Sequence, residues 1–151
     1  MIIIFLSLSD IYRINEHGIY TDLMRKFRDE GHCVHIISPA ERKWGKETQI
    51  IETDGVKILK VKTLNIQKTN VLEKGIGTLM VERQYIRAIK ELIPDLHFDL
   101  IIFSTPPITF TNVVKFLKRR NPQAISYLLL KDIFPQNAVD IEMFSKRSPF
   151  Y

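Results

Sequence analysis

Met1 to Leu8 is an apolar run of strand length, and it constrains the chain more than any other stretch. An unbroken run of this kind fits a strand buried on both faces of a parallel sheet, which needs helices above and below it. A polar loop follows from Ser9 to His17. Gly18 then opens a segment in which Ile19, Leu23 and Phe27 recur at helical spacing, with Tyr20 and Met24 beside them. Gly31 ends it as a left-handed cap, and Val34 to Ser38 reads as a second strand closed by Pro39. Strand, helix and strand in under forty residues make a βαβ unit, whose crossover is right-handed in nearly every known case.

The alternation continues. Ile50 to Thr53, Asp54-Gly55 and Val56 to Val61 read as a β-hairpin on a tight turn, an insertion into the βαβ plan. Asn65 to Lys74 reads as a long polar connection. Ile76 to Ile93 is the longest helical pattern, carried by Leu79, Ile86, Ile89 and Ile93 and stopped by Pro94. Asp99 to Ser104 is a further strand. Thr105-Pro106-Pro107 leads into a helix with the prolines expected in its first turn, where a missing N–H costs nothing. Val113, Phe116 and Leu117 give that helix its buried face, and Ile125 to Leu130 is the last strand. The expected fold is α/β: one doubly wound, mostly parallel, Rossmann-like domain over residues 1–151, with a hairpin insertion.

Composition narrows the function classes. The chain is 45% hydrophobic and 26% charged, which excludes a disordered tail or a fibre. No apolar run approaches the ~20 residues that span a bilayer. With one cysteine, Cys33, no intramolecular disulfide forms, and a reducing cytoplasmic setting is expected. The net charge of +5 fits anionic substrates or an anionic membrane face. Nucleic acid is not expected as a partner, because no aromatic platform or groove-reading basic helix accompanies the charge.

In open parallel sheets, ligands bind beyond the carboxyl ends of the strands where strand order reverses. Three loops lie there: Ser9 to Gly18, Ser104 to Pro107, and Lys131 to Asn137. The first lacks the G-x-G-x-x-G fingerprint of dinucleotide enzymes, and the P-loop pattern is missing too. Gly18 at a helix start either admits a phosphate closely, where free N–H groups point outward, or merely shapes a turn. Asn15, Glu16 and His17 have two readings: hydrogen-bonding partners for sugar hydroxyls, or, for Asn15 and Glu16, helix caps. Asp132 directly follows the last strand, where a carboxylate orients an acceptor hydroxyl or a reacting sugar, or serves the loop structurally. His32, Cys33 and His35 match no zinc pattern, so no metal is expected and Cys33 reads as a core thiol.

Three stretches bear a family resemblance: Tyr20 to Val34 with its Gly31-His32 turn, Phe98 to Pro107, and Lys131-Asp132-Ile133-Phe134-Pro135-Gln136-Asn137. With them the chain resembles the N-terminal domain of the family-four glycosyltransferases, enzymes of GT-B architecture with two facing Rossmann-like domains. The last stretch looks like the R-D-x-W-P-x-S/N segment of the subgroup that builds O-antigen, capsule and colanic-acid polysaccharides in bacteria. The resemblance implies transfer of a sugar, with retained configuration, from a nucleotide sugar (usually a UDP-sugar) to a lipid-linked saccharide acceptor at the inner membrane face. It also implies that Asn15 to Gly18 approach the donor diphosphate. Ser104, Thr105, Lys131, Gln136 and Asn137 are the further candidates for acceptor or donor-phosphate binding, and Asp132 is the catalytic candidate. The nucleotide sugar is a co-substrate, and no bound cofactor is expected. The family's donor-binding C-terminal domain is a further expected partner, so this chain alone is expected to turn over little or no UDP-sugar. Trp44 with Arg42, Lys43 and Lys46, and the stretch from Asn65 to Lys74, are the expected membrane contacts. A different class stays open: a non-catalytic binding module that complements a separate donor domain.

Overall fold

The computed structural model describes residues 1–66, 69–104, 110–130 and 139–140. Its elements are β1 (Ile2–Leu6), α1 (Ile19–Asp29), β2 (Cys33–Glu41), a 3-10 turn (Arg42–Trp44), β3 (Gln49–Thr53), β4 (Val56–Thr63), α2 (Val71–Leu92), β5 (Leu100–Ser104), α3 (Thr111–Arg120) and β6 (Ile125–Leu129). They form one six-stranded sheet in the order β3-β4-β2-β1-β5-β6. Every pair is parallel except β3 with β4, which is the hairpin. The expected doubly wound α/β fold is what the chain adopts.

The order reverses at β1. From β1 the chain moves through α1 to β2 on one side, and α2 then carries it back across the sheet to β5 on the other. Two apolar layers result. Met24 of α1 packs with Ile3, Phe5, Val34, Ile36 and Ile58 on one face. Val81, Tyr85 and Ile89 of α2, with Val113 and Leu117 of α3, pack on Ile4, Leu6, Leu59 and Ile101 on the other. Alternate residues of β1 thus serve opposite layers, which is why its sequence is apolar throughout.

Several expectations need correction. β2 runs on through Pro39 to Glu41, with Pro39 paired to Val61. The Ile37 carbonyl accepts from Ser7 N, so main-chain groups of odd-numbered residues face β1; pairing with β1 ends at Ile37, and Pro39 therefore lacks no ladder bond. α2 begins at Val71, five residues before the apolar period starts, because Asn70 caps it by accepting from Glu73 N at 2.7 Å. α3 runs from Thr111 to Arg120, and the expectation for Pro106 and Pro107 lies outside the described residues. Ile19 and Leu79, expected on buried faces, are 70% and 80% exposed. Cys33, expected in the core, is exposed at the start of β2, with its Sγ 3.5 Å from His35 Nε2.

Other details follow the sequence. Gly31 takes φ +80° after the last turn of α1, and Asp54 and Gly55 take φ 52° and 74° in the hairpin turn, a pair of left-handed residues that suits the strand twist.

Candidate functional site

The carboxyl ends of β1, β2, β4 and β5 lie along one edge of the sheet, and the loop from Ser7 to Gly18 covers part of it. Ile11 and Ile14 anchor this loop in the α1-side layer, 5% and 0% exposed. Its polar backbone is tied down from beneath. Ser38 Oγ, at the end of β2, donates to Ser9 O (2.8 Å) and accepts from Ile11 N (2.8 Å). From the other face of the sheet, the buried Tyr85 hydroxyl donates to Ser7 O at 2.7 Å.

Under the same loop lies Lys60 of β4, wholly buried. Its ammonium donates to Asp10 Oδ1 (2.6 Å), Ser38 Oγ (2.9 Å) and Ile11 O (3.1 Å), and it sits 3.9 Å from the centre of the Tyr12 ring. Burial pushes the amine's pKa below its usual value, and the Asp10 carboxylate pushes back. The Tyr12 hydroxyl is buried without a hydrogen-bond partner among the described residues.

The far side of the loop is fixed to α1. Thr21 Oγ1 lies 2.6 Å from Glu16 O and 3.0 Å from Gly18 O, and Arg25 donates to the Ile14 carbonyl. Gly18 is the N-cap of α1, and no side chain caps the helix; Asp22 Oδ1 instead accepts weakly from Gly18 N at 3.4 Å. Neither Asn15 nor Glu16 is the cap that one reading of them required. Both side chains are exposed and have no hydrogen bond among the described residues, while exposed His17 lies 3.7 Å from Asp22 through Nδ1. Gly18 adopts an extended φ of 176°, so its backbone asks nothing special of glycine; a Cβ there would sit 3.1 Å from Thr21 Oγ1.

Tyr20, one turn into α1, joins this loop to the next strand. Its hydroxyl donates to Ser104 Oγ at 3.0 Å, and its ring packs on Phe5 with centroids 5.1 Å apart. Ser104, buried at the carboxyl end of β5, is thereby brought to the start of α1, at the point where strand order reverses between β1 and β5. Thr105, Lys131, Asp132, Gln136 and Asn137 lie outside the described residues. Sequence reasoning missed Lys60, Asp10, Ser38 and Tyr20 in this assembly. A lysine breaking the inward side of the β4 pattern, between Ile58 and Lys62, was the available signal.

Among the described residues no group of three or more His, Cys, Asp or Glu side chains is placed to hold a metal ion. His35 is buried on β2, its ring edge-on to Phe98 with centroids 5.9 Å apart; burial first, then the charge of Lys57, lowers its pKa to about 4. It lies on the opposite layer, away from the loop.

No protein-family model matches the chain, and no curated protein matches it. A solved structure does: one described as trehalose-6-phosphate from E. coli bound with UDP-2-fluoro glucose, at 12% identity and a TM-score of 0.56. The match covers 89% of this chain and 34% of that one, so the chain spans about a third of that structure's length. At this identity the likeness is one of fold. It agrees with the doubly wound, mostly parallel sheet described above.

Proposed function

We propose that the chain is the acceptor-side half of a retaining, family-four GT-B glycosyltransferase of the O-antigen and capsule type, a single domain that works with a separate donor-binding domain. The observation that carries this is the Tyr20–Ser104 hydrogen bond, which joins the start of α1 to the end of β5 where ligands of open parallel sheets bind. The likeness in fold to a structure described as bound with UDP-2-fluoro glucose supports it.

In this reading the start of α1, the untied Asn15 and Glu16 side chains and the exposed His17 beside Asp22 face the donor diphosphate. Helix N–H groups there favour negative charge as the nucleotide departs. Ser104 and Thr105, with Lys131, Gln136 and Asn137, bind acceptor hydroxyls or phosphate. Asp132 orients the acceptor hydroxyl, whose oxygen bonds to the anomeric carbon as the sugar–phosphate bond breaks, its proton passing to the departing diphosphate of UDP. The acceptor is a lipid-linked saccharide, and the protein works at the cytoplasmic membrane face.

One further observation favours that placement. Leu72, Ile76, Leu79 and Met80 stand 80%, 54%, 80% and 40% exposed, at spacings that align them along α2. Arg42 of the 3-10 turn pairs with Glu73 at 3.0 Å, which brings exposed Trp44 and its basic neighbours beside that row. An exposed apolar row on α2, with the Arg42–Glu73 pair and exposed Trp44 near its start, suits a bilayer surface. Among the described residues no helix is long and apolar enough to cross a membrane.

Saturation-transfer NMR with UDP-glucose, UDP-galactose, GDP-mannose and a polyprenyl-phosphate analogue tests the transferase reading. Saturation of at least one nucleotide sugar, competed away by UDP, is expected. Silence across the whole panel at millimolar concentration contradicts it. Liposome flotation tests the surface: anionic vesicles carry the protein upward, and Leu72→Gln with Leu79→Gln abolishes this. Equal floating with neutral and anionic lipid removes the membrane assignment.

A further inference from the structure

We propose that Lys60 is a positioning residue: its buried ammonium locks the base of the loop between β1 and α1, so that exposed residues 15–17 are presented to a ligand on a held backbone.

The reasoning starts from what burying a lysine costs. An ammonium withdrawn from water loses several kcal/mol of hydration, and a buried ion pair returns no more than a well-packed apolar side chain of the same volume would. Stability alone therefore does not account for Lys60, which is wholly buried and follows Val56 and Ile58 on the same face of β4. What an ammonium adds is direction. It has three N–H donors, and all three are used, on Asp10 Oδ1, Ile11 O and Ser38 Oγ. Two of those acceptors belong to the loop and the third to β2, so one nitrogen fixes the loop to two neighbouring strands. Tyr12 closes over it with a ring 3.9 Å away, adding a cation–π contact on the side that faces the loop.

The second clamp lies on α1, where Arg25 holds the Ile14 carbonyl and Thr21 holds that of Glu16. Between the clamps the chain has little freedom left. Asn15, Glu16 and His17 keep exposed side chains while their backbone is held at both ends. A short tip with exposed side chains on a fixed backbone binds without losing chain entropy at the moment of binding. That consequence rests on the donor-approach role proposed above; the clamp itself does not.

The test separates the two. Amide hydrogen exchange is measured on the whole chain for the natural protein, Lys60→Met, Asp10→Asn and Val113→Ala, and each is titrated with UDP-glucose by calorimetry. Lys60→Met and Asp10→Asn are expected to speed exchange of the Ile11 amide, which donates to Ser38 Oγ, at least tenfold, leave Ile3–Leu6 and Val34–Ile37 protected, and weaken UDP-glucose at least tenfold. Val113→Ala, which loosens the other layer, is expected to leave loop exchange unchanged. Should Lys60→Met fail to fold, Asp10→Asn carries the test, since it keeps the side-chain shape and removes the carboxylate charge that pairs with the ammonium while an amide oxygen and the other two acceptors remain. Loop protection equal to the natural protein's in Asp10→Asn and in any folded Lys60→Met overturns the proposal. If the natural protein does not bind UDP-glucose, the transferase reading suffers, and the exchange rates still decide the role of Lys60.

Discussion

Acidification should weaken this protein through one imidazole. His35 lies on β2 with its ring against Phe98, Cys33 on its own strand at 3.5 Å and Lys57 opposite it on β4. Its pKa falls from 6.5 to about 4 because burial and a neighbouring cation both disfavour the charged ring. The folded pKa is depressed, so the unfolded chain takes up the proton first; the stability is present above pH 6.5 and is lost as pH falls towards 4. Linkage between those two values gives a loss of ~2 kcal/mol on going from pH 7 to pH 5. Water reaches the ring's surroundings through the open groove it shares with Lys57, Ile50 and Glu52, and screening trims the figure to about 1 kcal/mol. Urea unfolding of the natural protein and of His35→Leu, each at pH 7 and pH 5, isolates the contribution. Whatever their difference in stability at pH 7, the change with pH should be smaller in His35→Leu by about 1 kcal/mol. An identical pH-dependent loss in both proteins would refute the argument and place the acid sensitivity on other groups.

Other consequences are checked more simply. Gly55→Ala forces an alanine into φ +74° with its Cβ 3.2 Å from Arg28 Cδ, and should cost about 1–2 kcal/mol in urea unfolding. Asn70→Ala removes the cap of α2 and should cost about 1 kcal/mol, whereas Asn70→Gly should cost only a few tenths. Tyr20→Phe deletes the bond to Ser104; thermal unfolding should register about 1 kcal/mol, and UDP-glucose should bind more weakly than to the natural protein.

The sheet was legible because its signals are local and strong. An apolar β1, a Gly31 cap and an Asp54-Gly55 turn each have one good structural solution, and the structure adopts all three. The start of α2 is marked by the Asn70-x-x-Glu73 cap and not by apolar period, because Leu72 and Ile76 in its first turns are exposed. Leu79 and Ile19 failed for a related reason: helical spacing shows that residues share a face, not which face meets the sheet. The site divides likewise. Its location at the strand ends followed from the βαβ order, but the Lys60 clamp depends on contacts between residues fifty positions apart, and no local pattern announces those. Asp132 and the other candidates from the last loop lie outside the described residues.

The central claim is that the α1 start and the end of β5 form one crevice that receives a nucleotide sugar. Titrating isotope-labelled protein with UDP-glucose and following backbone amide shifts tests it most directly. Shifts concentrated at Asn15 to Tyr20 and at Ser104 are the predicted result. Shifts confined to the opposite end of the sheet, around Gly31, His32 and His97, would contradict it.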